Sequence, residues 1–207
     1  MISRRTWLAS LTASAGALAV DVPEALAAVA PAARRGPRAD YFPNFTVRTH
    51  EGKRVRFYDD LIWGKIVVIN MMYADCTGIC PAMTENLLKV QRALEPRVGR
   101  DIFMYSITLR PKDDTPAVLK AYVEHHGVGP GWQFITGRPG EIEILRRRLG
   151  FVDPDPALDR DQANHTGVVR FGNEAMDSWG ACPALGPAEQ IVKAILWMDV
   201  RRNGGAA

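Results

Sequence analysis

Hydrophobic residues between about residue 40 and residue 200 occur both in short continuous runs and at helical spacing. The runs 65–73 and 102–109 are apolar almost throughout, which is typical of central strands covered on both faces. Between them, residues 81–94 carry leucine and valine at helical spacing, and Pro81 suits the first helical position. The pattern therefore predicts a strand, a helix and a second strand at the centre of the domain.

Weaker patterns predict the elements on either side. They are a hairpin of residues 45–47 and 55–57, a helix from Asp114-Thr115-Pro116 to His126, a strand at 132–135, a helix at 141–149, a loop at 151–164, a second hairpin of 166–171 and 175–179 that turns at Gly172-Asn173, and a helix at 187–198. This order predicts an α/β protein with a mixed central β-sheet flanked by helices and an N-terminal β-hairpin. It is the order of a thioredoxin-like fold.

The first residues have the pattern of a targeting segment. Ser3-Arg4-Arg5-Thr6-Trp7-Leu8 precedes a weakly apolar run of about 13 residues and resembles a twin-arginine export signal. A membrane-spanning helix needs roughly 20 apolar residues. Cleavage at the favoured Ala-x-Ala site predicts a signal at 1–27, an Ala/Pro/Arg-rich linker at 28–39, the domain at 40–200 and a disordered tail at 201–207. We expect a periplasmic protein, attached to the membrane only where the signal is not removed.

The net charge of the chain limits the classes of binding partner that can be expected. The formal net charge is +3, and residues 1–40 hold five arginines against three acids, so the predicted domain is nearly neutral. A nucleic acid or an anionic membrane surface would select a strongly basic domain instead. We therefore expect no nucleic-acid partner.

Export changes the interpretation of the cysteines, because thiols in an oxidising compartment are paired, metal-bound or buried. Cys76 and Cys80 are separated by three residues, one more than in the CxxC motif of thiol exchangers. They follow the first predicted central strand, at the sheet edge where α/β proteins place reactive groups. A loop of this length allows either a disulfide or a shared metal ion. A position at the helix N-terminus is expected to lower the pKa of the Cys80 thiol.

Several stretches resemble motifs of the Sco/SenC family, which are exported thioredoxin-fold proteins tied to the copper assembly of cytochrome c oxidase. They are Gly64-Lys65, Tyr73-Ala74-Asp75-Cys76-Thr77-Gly78-Ile79-Cys80-Pro81 for the CxxxCP motif, Asp114-Thr115-Pro116, Thr136-Gly137 and His165-Thr166. The resemblance covers most of the mature chain. It implies that Cys76, Cys80 and His165 bind one copper ion, as Cu(I) or Cu(II), and that the two cysteines form a redox-active disulfide.

Two departures from the family pattern affect this site. Asn164 stands where the family has an aspartate before the ligand histidine, and Leu109-Arg110-Pro111-Lys112 stands where it usually has an acidic V-D-P-E segment. The second departure replaces two negative charges with two positive ones. Partner recognition and redox properties are therefore expected to differ from the family pattern.

Other sulfur and imidazole groups are given ordinary structural roles. Helix and strand spacing predicts core packing for the methionines Met71, Met72 and Met83. The histidines His50, His125 and His126 are interpreted as solvated structural residues. Cys182 is interpreted as a buried or half-buried free thiol. The alternatives are a redox partner of Cys76 or Cys80, and an intermolecular link or an extra ligand.

The function that this resemblance favours is that of a periplasmic metallochaperone, which delivers copper to a subunit of cytochrome c oxidase or to another cuproprotein. A three-ligand site suits this role because it leaves a position open for transfer, whereas structural zinc sites normally have four protein ligands. The alternative is a thiol-disulfide reductase, supplied by a thiol reductant, that maintains the cysteines of a cuproprotein. A redox or copper sensor is a third hypothesis.

Overall fold

The computed structural model of the chain describes residues 35–160 and 167–199. The described strands form one mixed sheet in the order β2-β1-β5-β4-β3-β6-β7. They are β1 (Thr46–Thr49), β2 (Arg54–Arg56), β3 (Ile66–Met72), β4 (Ile102–Thr108), β5 (Trp132–Thr136), β6 (Val168–Asn173) and β7 (Ser178–Pro183). Strands β3, β4 and β5 are parallel, while β1 and β6 pair antiparallel with β5 and β3. The predicted mixed sheet and N-terminal hairpin are confirmed.

Helices cover both faces of this sheet. They are α1 (Ile79–Leu94), α2 (Pro116–His126), α3 (Pro139–Arg148), α4 (Pro156–Arg160) and α5 (Ala188–Trp197), together with one π-helical turn (Phe57–Ile62) between β2 and β3. Buried side chains of α1, α2 and α5 share one core cluster, and those of α3 and the π-helical turn share another. Within residues 35–160 and 167–199, none of the helices has the length and hydropathy that a bilayer crossing requires.

Strand β3 joins the two halves of the core. All seven of its residues are buried, and successive side chains point to opposite faces. Val68 and Met72 belong to the cluster under α1, whereas Val67, Ile69 and Met71 belong to the cluster under α3. Met83 of α1 is also fully buried. The predicted packing role of the three methionines is confirmed, and Met71 lies on the face that α1 does not cover.

The predicted turn of the second hairpin was wrong. Gly172 and Asn173 continue β6, where they pair with Trp179 and Ser178 of β7, and the chain turns at residues 174–177. A Cβ at Gly172 would collide with the Trp179 ring, so this glycine serves close packing and not the turn. The turn is held by buried Glu174, whose carboxylate accepts hydrogen bonds from the Tyr58 hydroxyl at 2.6 Å and the Gly64 N–H at 2.8 Å.

The segment predicted as a loop at 151–164 contains helix α4, and residues 161–164 lie outside the described residues. An ion pair fixes this short helix to α3. The two Arg146 Nη atoms donate to the two carboxylate oxygens of Asp159 at 2.6 and 2.9 Å, and the Asp153 N–H donates to Asp159 at 3.0 Å. The helix therefore depends on a long-range partner that local sequence patterns do not reveal.

The predicted signal at 1–27 and the predicted tail at 201–207 lie outside the described residues, as do residues 28–34 of the predicted linker.

We expect the Arg146–Asp159 ion pair to stabilise the fold in a pH-dependent way. The hydrogen bonds from Arg146 hold the pKa of Asp159 well below its usual range, so the stabilisation is present above the unfolded-state pKa of about 3.9 and is lost on acidification below it. Asp159→Asn is expected to lower the free energy of unfolding by about 1–2 kcal/mol at pH 7. The difference from the parent protein should shrink as the pH falls.

Denaturant unfolding of both proteins across a pH series measures this difference. Glu85→Gln, which neutralises an exposed carboxylate of α1, is the control and should stay within about 0.5 kcal/mol of the parent protein. A difference for Asp159→Asn that is independent of pH would contradict the expectation.

Candidate metal and redox site

The candidate site lies in the loop that connects β3 to α1. Residues 73–78 form this loop, and α1 begins at Ile79 with Gly78 as its N-cap. Cys76 is 7% exposed and Cys80 is 0% exposed, whereas Thr77 and Gly78 between them are exposed. The thiols therefore lie directly beneath a short segment of backbone that reaches the surface.

The helix begins two residues earlier than the proline suggested. Cys80 occupies the second helical position and Pro81 the third, so Cys80 lies inside the first turn and not immediately before it. A proline is compatible with this place because the first backbone N–H groups of a helix have no partner within it.

Several donors converge on the sulfur of Cys76. It accepts hydrogen bonds from the Cys80 thiol, from the Tyr73 hydroxyl and from the backbone N–H groups of Gly78 and Cys80. Both cysteines are present as thiols. Donors of this kind stabilise the thiolate more than the thiol, since the bonds strengthen when the acceptor is charged.

The two thiols consequently differ in acidity. Burial raises the pKa of Cys76, but the hydrogen bonds from Cys80, Tyr73 and Gly78 outweigh it and leave the pKa below the ordinary cysteine value. At Cys80, burial and the hydrogen bond to Cys76 raise the pKa to about 12. The expectation that the helix N-terminus would lower the pKa of Cys80 is not met, because burial of this sulfur and its hydrogen bond to Cys76 raise the pKa. The lowered pKa belongs to Cys76 instead.

A buried carboxylate ties the cysteine loop to the neighbouring loop after β4. Asp114 is 2% exposed, and its oxygens accept the Ala74 N–H at 3.2 and 3.3 Å. Its carboxylate also accepts a hydrogen bond from the Thr108 hydroxyl. The sequence motif Asp114-Thr115-Pro116 therefore has two functions. Asp114 holds the cysteine loop, and Thr115 caps α2 by accepting a hydrogen bond from the Val118 N–H at 3.3 Å.

Arg110 reaches the cysteine loop from the same edge of the sheet. Its Nη1 donates to the two carboxylate oxygens of Asp75 at 3.0 and 3.1 Å. Its guanidinium carbon lies 3.9 Å from the centroid of the Tyr73 ring. Sequence reasoning noted Arg110 only as a departure from the family pattern and gave no role to Tyr73 and Asp114. The available signal was their position at the ends of two adjacent parallel strands.

His165 lies outside the described residues. Gly167, two residues later, packs against the first turn of α1, where an added Cβ would lie 2.5 Å from Ile79 Cδ1 and 3.9 Å from Met83 Sδ. Its carbonyl accepts the Ala184 N–H at 2.8 Å. In the part of the chain that the structure describes, no group of three or more His, Cys, Asp or Glu side chains is arranged to hold a metal ion. Cys76 and Cys80 supply two sulfur donors.

The remaining cysteine and histidines have structural environments. Cys182 is a half-buried thiol on β7, opposite Val169, and burial raises its pKa. The interpretation of this residue as a half-buried thiol is confirmed. His50 is partly buried rather than solvated, and its Nδ1 accepts the Phe134 N–H at 3.1 Å. His125 and His126 end α2, as predicted. His125 is exposed, whereas His126 is half-buried and its ring centroid lies 4.2 Å from that of Tyr122.

A scan of protein-family models finds one match, to the family described as SCO1/SenC, over residues 33–198. Among curated relatives, a SCO2-like protein of Rickettsia felis is 28% identical over 118 residues, which are 55% of this chain and 57% of the relative. The SCO1 protein homolog of Bacillus subtilis is also 28% identical, with 51% of its length covered. The chain thus spans about half the length of the curated relatives it matches.

A solved structure of the Sco family has the same fold. Bradyrhizobium japonicum ScoI, whose structure has copper bound, is 22% identical and aligns with a TM-score of 0.60 over 74% of this chain and 96% of its own. This likeness confirms the thioredoxin-like arrangement of sheet and helices.

We expect the two thiols to titrate separately. On a Cys182→Ala background, Cys76 should be alkylated with a midpoint below that of an ordinary cysteine thiol, and Cys80 should stay unreactive to much higher pH. Tyr73→Phe should raise the midpoint for Cys76, because it removes one hydrogen-bond donor. Peptide mass spectrometry after brief alkylation measures each site.

Tyr105→Phe is the control for this titration, since it removes a buried hydroxyl from the opposite face of the sheet. It should leave the Cys76 midpoint unchanged. Joint titration of both thiols near the free-cysteine value would show that the hydrogen bonds do not separate them.

Proposed function

The chain belongs to the SCO1/SenC family, and from this premise we propose that it is an exported copper-binding metallochaperone that assists copper insertion into cytochrome c oxidase or another cuproprotein. The observation that carries the proposal is the buried pair Cys76 and Cys80, whose sulfur atoms are in hydrogen-bond contact beneath an exposed loop. Bradyrhizobium japonicum ScoI, which has the same fold, has been solved with copper bound.

The donor chemistry of the described residues fits copper. Two thiolates form a soft site of low coordination number, which Cu(I) prefers, and an added nitrogen ligand suits Cu(II). Hydrogen bonds lower the pKa of Cys76, which favours the first thiolate, and a metal ion displaces the proton of the second. The exposed backbone at Thr77 and Gly78 is where a recipient protein would approach.

His165 is the proposed third ligand. Support comes from Gly167, which packs against Ile79 in the first turn of α1, the turn that also contains Cys80. Two residues of extended chain span at most about 7 Å, and this limit keeps a third ligand at position 165 compatible with the fixed position of Gly167.

A thiol-disulfide reductase is the second candidate, and the unequal acidity of the two thiols favours it. In this reaction the Cys76 thiolate attacks a target disulfide, which forms a mixed disulfide and releases one target thiolate. Cys80 then loses its proton and attacks the Cys76 sulfur, which forms the Cys76–Cys80 disulfide and releases the second target thiolate. Two electrons pass to the target, and a thiol reductant restores the pair.

Copper stoichiometry tests the site. The reduced domain should retain one copper per chain after anaerobic loading and desalting, as measured by elemental analysis. Cys76→Ser combined with Cys80→Ser should remove this copper, because both sulfur donors are lost. Cys182→Ala is the matched control and should keep it. Unchanged copper in the double variant would show that the ion binds elsewhere.

A histidine variant separates the chaperone from the reductase. His165→Ala should abolish or strongly weaken Cu(II) binding and the thiolate-to-copper charge-transfer absorption, yet leave Cu(I) retention and the disulfide largely intact. His125→Ala, which alters an exposed histidine of α2, is the control. In cells, only the His165 variant should impair oxidase assembly.

Full oxidase activity at low copper, in a His165→Ala strain whose protein no longer binds Cu(II), would favour the reductase over the chaperone. Cu(II) binding equal to that of the parent protein would exclude His165 as a ligand.

A further inference from the structure

Arg110 makes two contacts with the residues that surround Cys76. It lies two residues beyond the end of β4, and its Nη1 is 3.0 and 3.1 Å from the carboxylate oxygens of Asp75. Its guanidinium carbon is 3.9 Å from the Tyr73 ring centroid. Asp75 immediately precedes Cys76, and the Tyr73 hydroxyl donates to the Cys76 sulfur. One side chain thus contacts both the residue next to the thiol and the residue that hydrogen-bonds it.

We propose that Arg110 is a positioning residue for the cysteine pair, that its contacts favour the dithiol over the disulfide, and that its charge favours Cu(I) over Cu(II). The proposal rests on the proposed function, since it assumes that Cys76 and Cys80 form the redox and copper site. It concerns a residue that stands where the family usually has an acidic segment, so it describes a property of this chain.

The contacts explain how Arg110 holds the loop. An ion pair on a partly exposed surface contributes little by itself, and Asp75 is 70% exposed. Here the same guanidinium also lies over the ring of Tyr73, which is 5% exposed and packed in the core. A planar group can stack and form hydrogen bonds at its edge simultaneously, which an ammonium group cannot do. Asp75 is therefore fixed relative to a rigid ring, and the backbone of Cys76 is fixed with it.

The charge of Arg110 explains the preference for one oxidation state of a bound copper ion. A dithiolate with Cu(I) carries one net negative charge, whereas a dithiolate with Cu(II) is neutral. The dithiol and the disulfide are both neutral, so this charge does not distinguish them. With Arg110, the pair Arg110–Asp75 is neutral. Without it, the carboxylate of Asp75 stands uncompensated beside Cys76 and destabilises the negative state more than the neutral ones. Arg110 should therefore stabilise the Cu(I) form through its charge. Its contacts with Asp75 and Tyr73 are made while both cysteines are thiols, so they hold the loop in the dithiol arrangement.

The first test measures the reduction potential of the metal-free domain on a Cys182→Ala background. The protein is equilibrated with reduced and oxidised dithiothreitol: the Cys76–Cys80 bond breaks and takes up two electrons and two protons, while the two thiols of dithiothreitol join as a cyclic disulfide. Arg110→Gln should shift this equilibrium toward the protein disulfide by about tenfold, which is about 30 mV for a two-electron couple.

Two further variants separate charge from position. Lys112→Gln removes the same charge from an exposed side chain two residues away and should change the equilibrium less than twofold. Arg110→Lys keeps the charge but not the planar stack, and should recover only part of the parent value. Equal shifts for Arg110→Gln and Lys112→Gln would overturn the proposal, as would no shift for Arg110→Gln. An Arg110→Lys protein identical to the parent would overturn the positioning role.

The second test is the ratio of Cu(I) to Cu(II) affinity, measured by competition with chelators. Arg110→Gln should lower this ratio about tenfold, while Lys112→Gln should leave it unchanged. The two tests distinguish failure of this inference from failure of the proposed function. A parent protein that forms no disulfide contradicts the redox role of the pair but leaves the copper ratio to decide on Arg110. A parent protein that binds no copper contradicts the copper proposal, and the reduction potential of the cysteine pair then decides on the role of Arg110.

Discussion

The candidate site depends on the parallel pairing of β3 with β4. Their register runs from Ile66 opposite Ile102 to Met72 opposite Thr108, so both strands end at the same edge of the sheet. The loop that follows β3 contains Cys76 and leads into the first turn of α1, which contains Cys80. The loop that follows β4 contains Arg110 and Asp114. Since parallel strands deliver their carboxyl ends together, residues about 35 positions apart in sequence meet at one place. Both strands are buried, and a register shift would exchange the side chains facing the two halves of the core.

Three contacts cross from one loop to the other, and they act on different parts of the cysteine segment. Asp114 accepts the Ala74 N–H and so fixes the backbone before Cys76. Arg110 binds the Asp75 carboxylate and stacks on Tyr73. The resulting arrangement presents the Tyr73 hydroxyl to the Cys76 sulfur. Cys80 is fixed independently by α1, which buries it completely. One thiol is thus set by polar contacts of the loops, and the other by the apolar core.

This difference makes the pair chemically asymmetric. Burial alone would raise the pKa of both thiols, and hydrogen bonds reverse this effect only at Cys76. An acidic thiol beneath an exposed loop, paired with a fully buried one, suits both functions considered for the chain. In thiol-disulfide exchange, this asymmetry distinguishes the sulfur that attacks the target from the sulfur that completes the reaction. In metal transfer, it leaves one ligand nearer the surface, where a recipient protein could reach it.

The sequence by itself determined the element types and the identity of the reactive pair. Long apolar runs identified β3 and β4, capping residues identified α2, and the CxxxCP motif identified Cys76 and Cys80, because these signals are local. Only the tertiary structure decided which thiol is acidic, since that depends on burial and on Tyr73. It also showed that Gly172 lies within β6 under the Trp179 ring, and that α4 is held by Arg146. Arg110 acquired a role for the same reason: its partners lie about 35 residues away in sequence, and only the pairing of β3 with β4 brings them into contact.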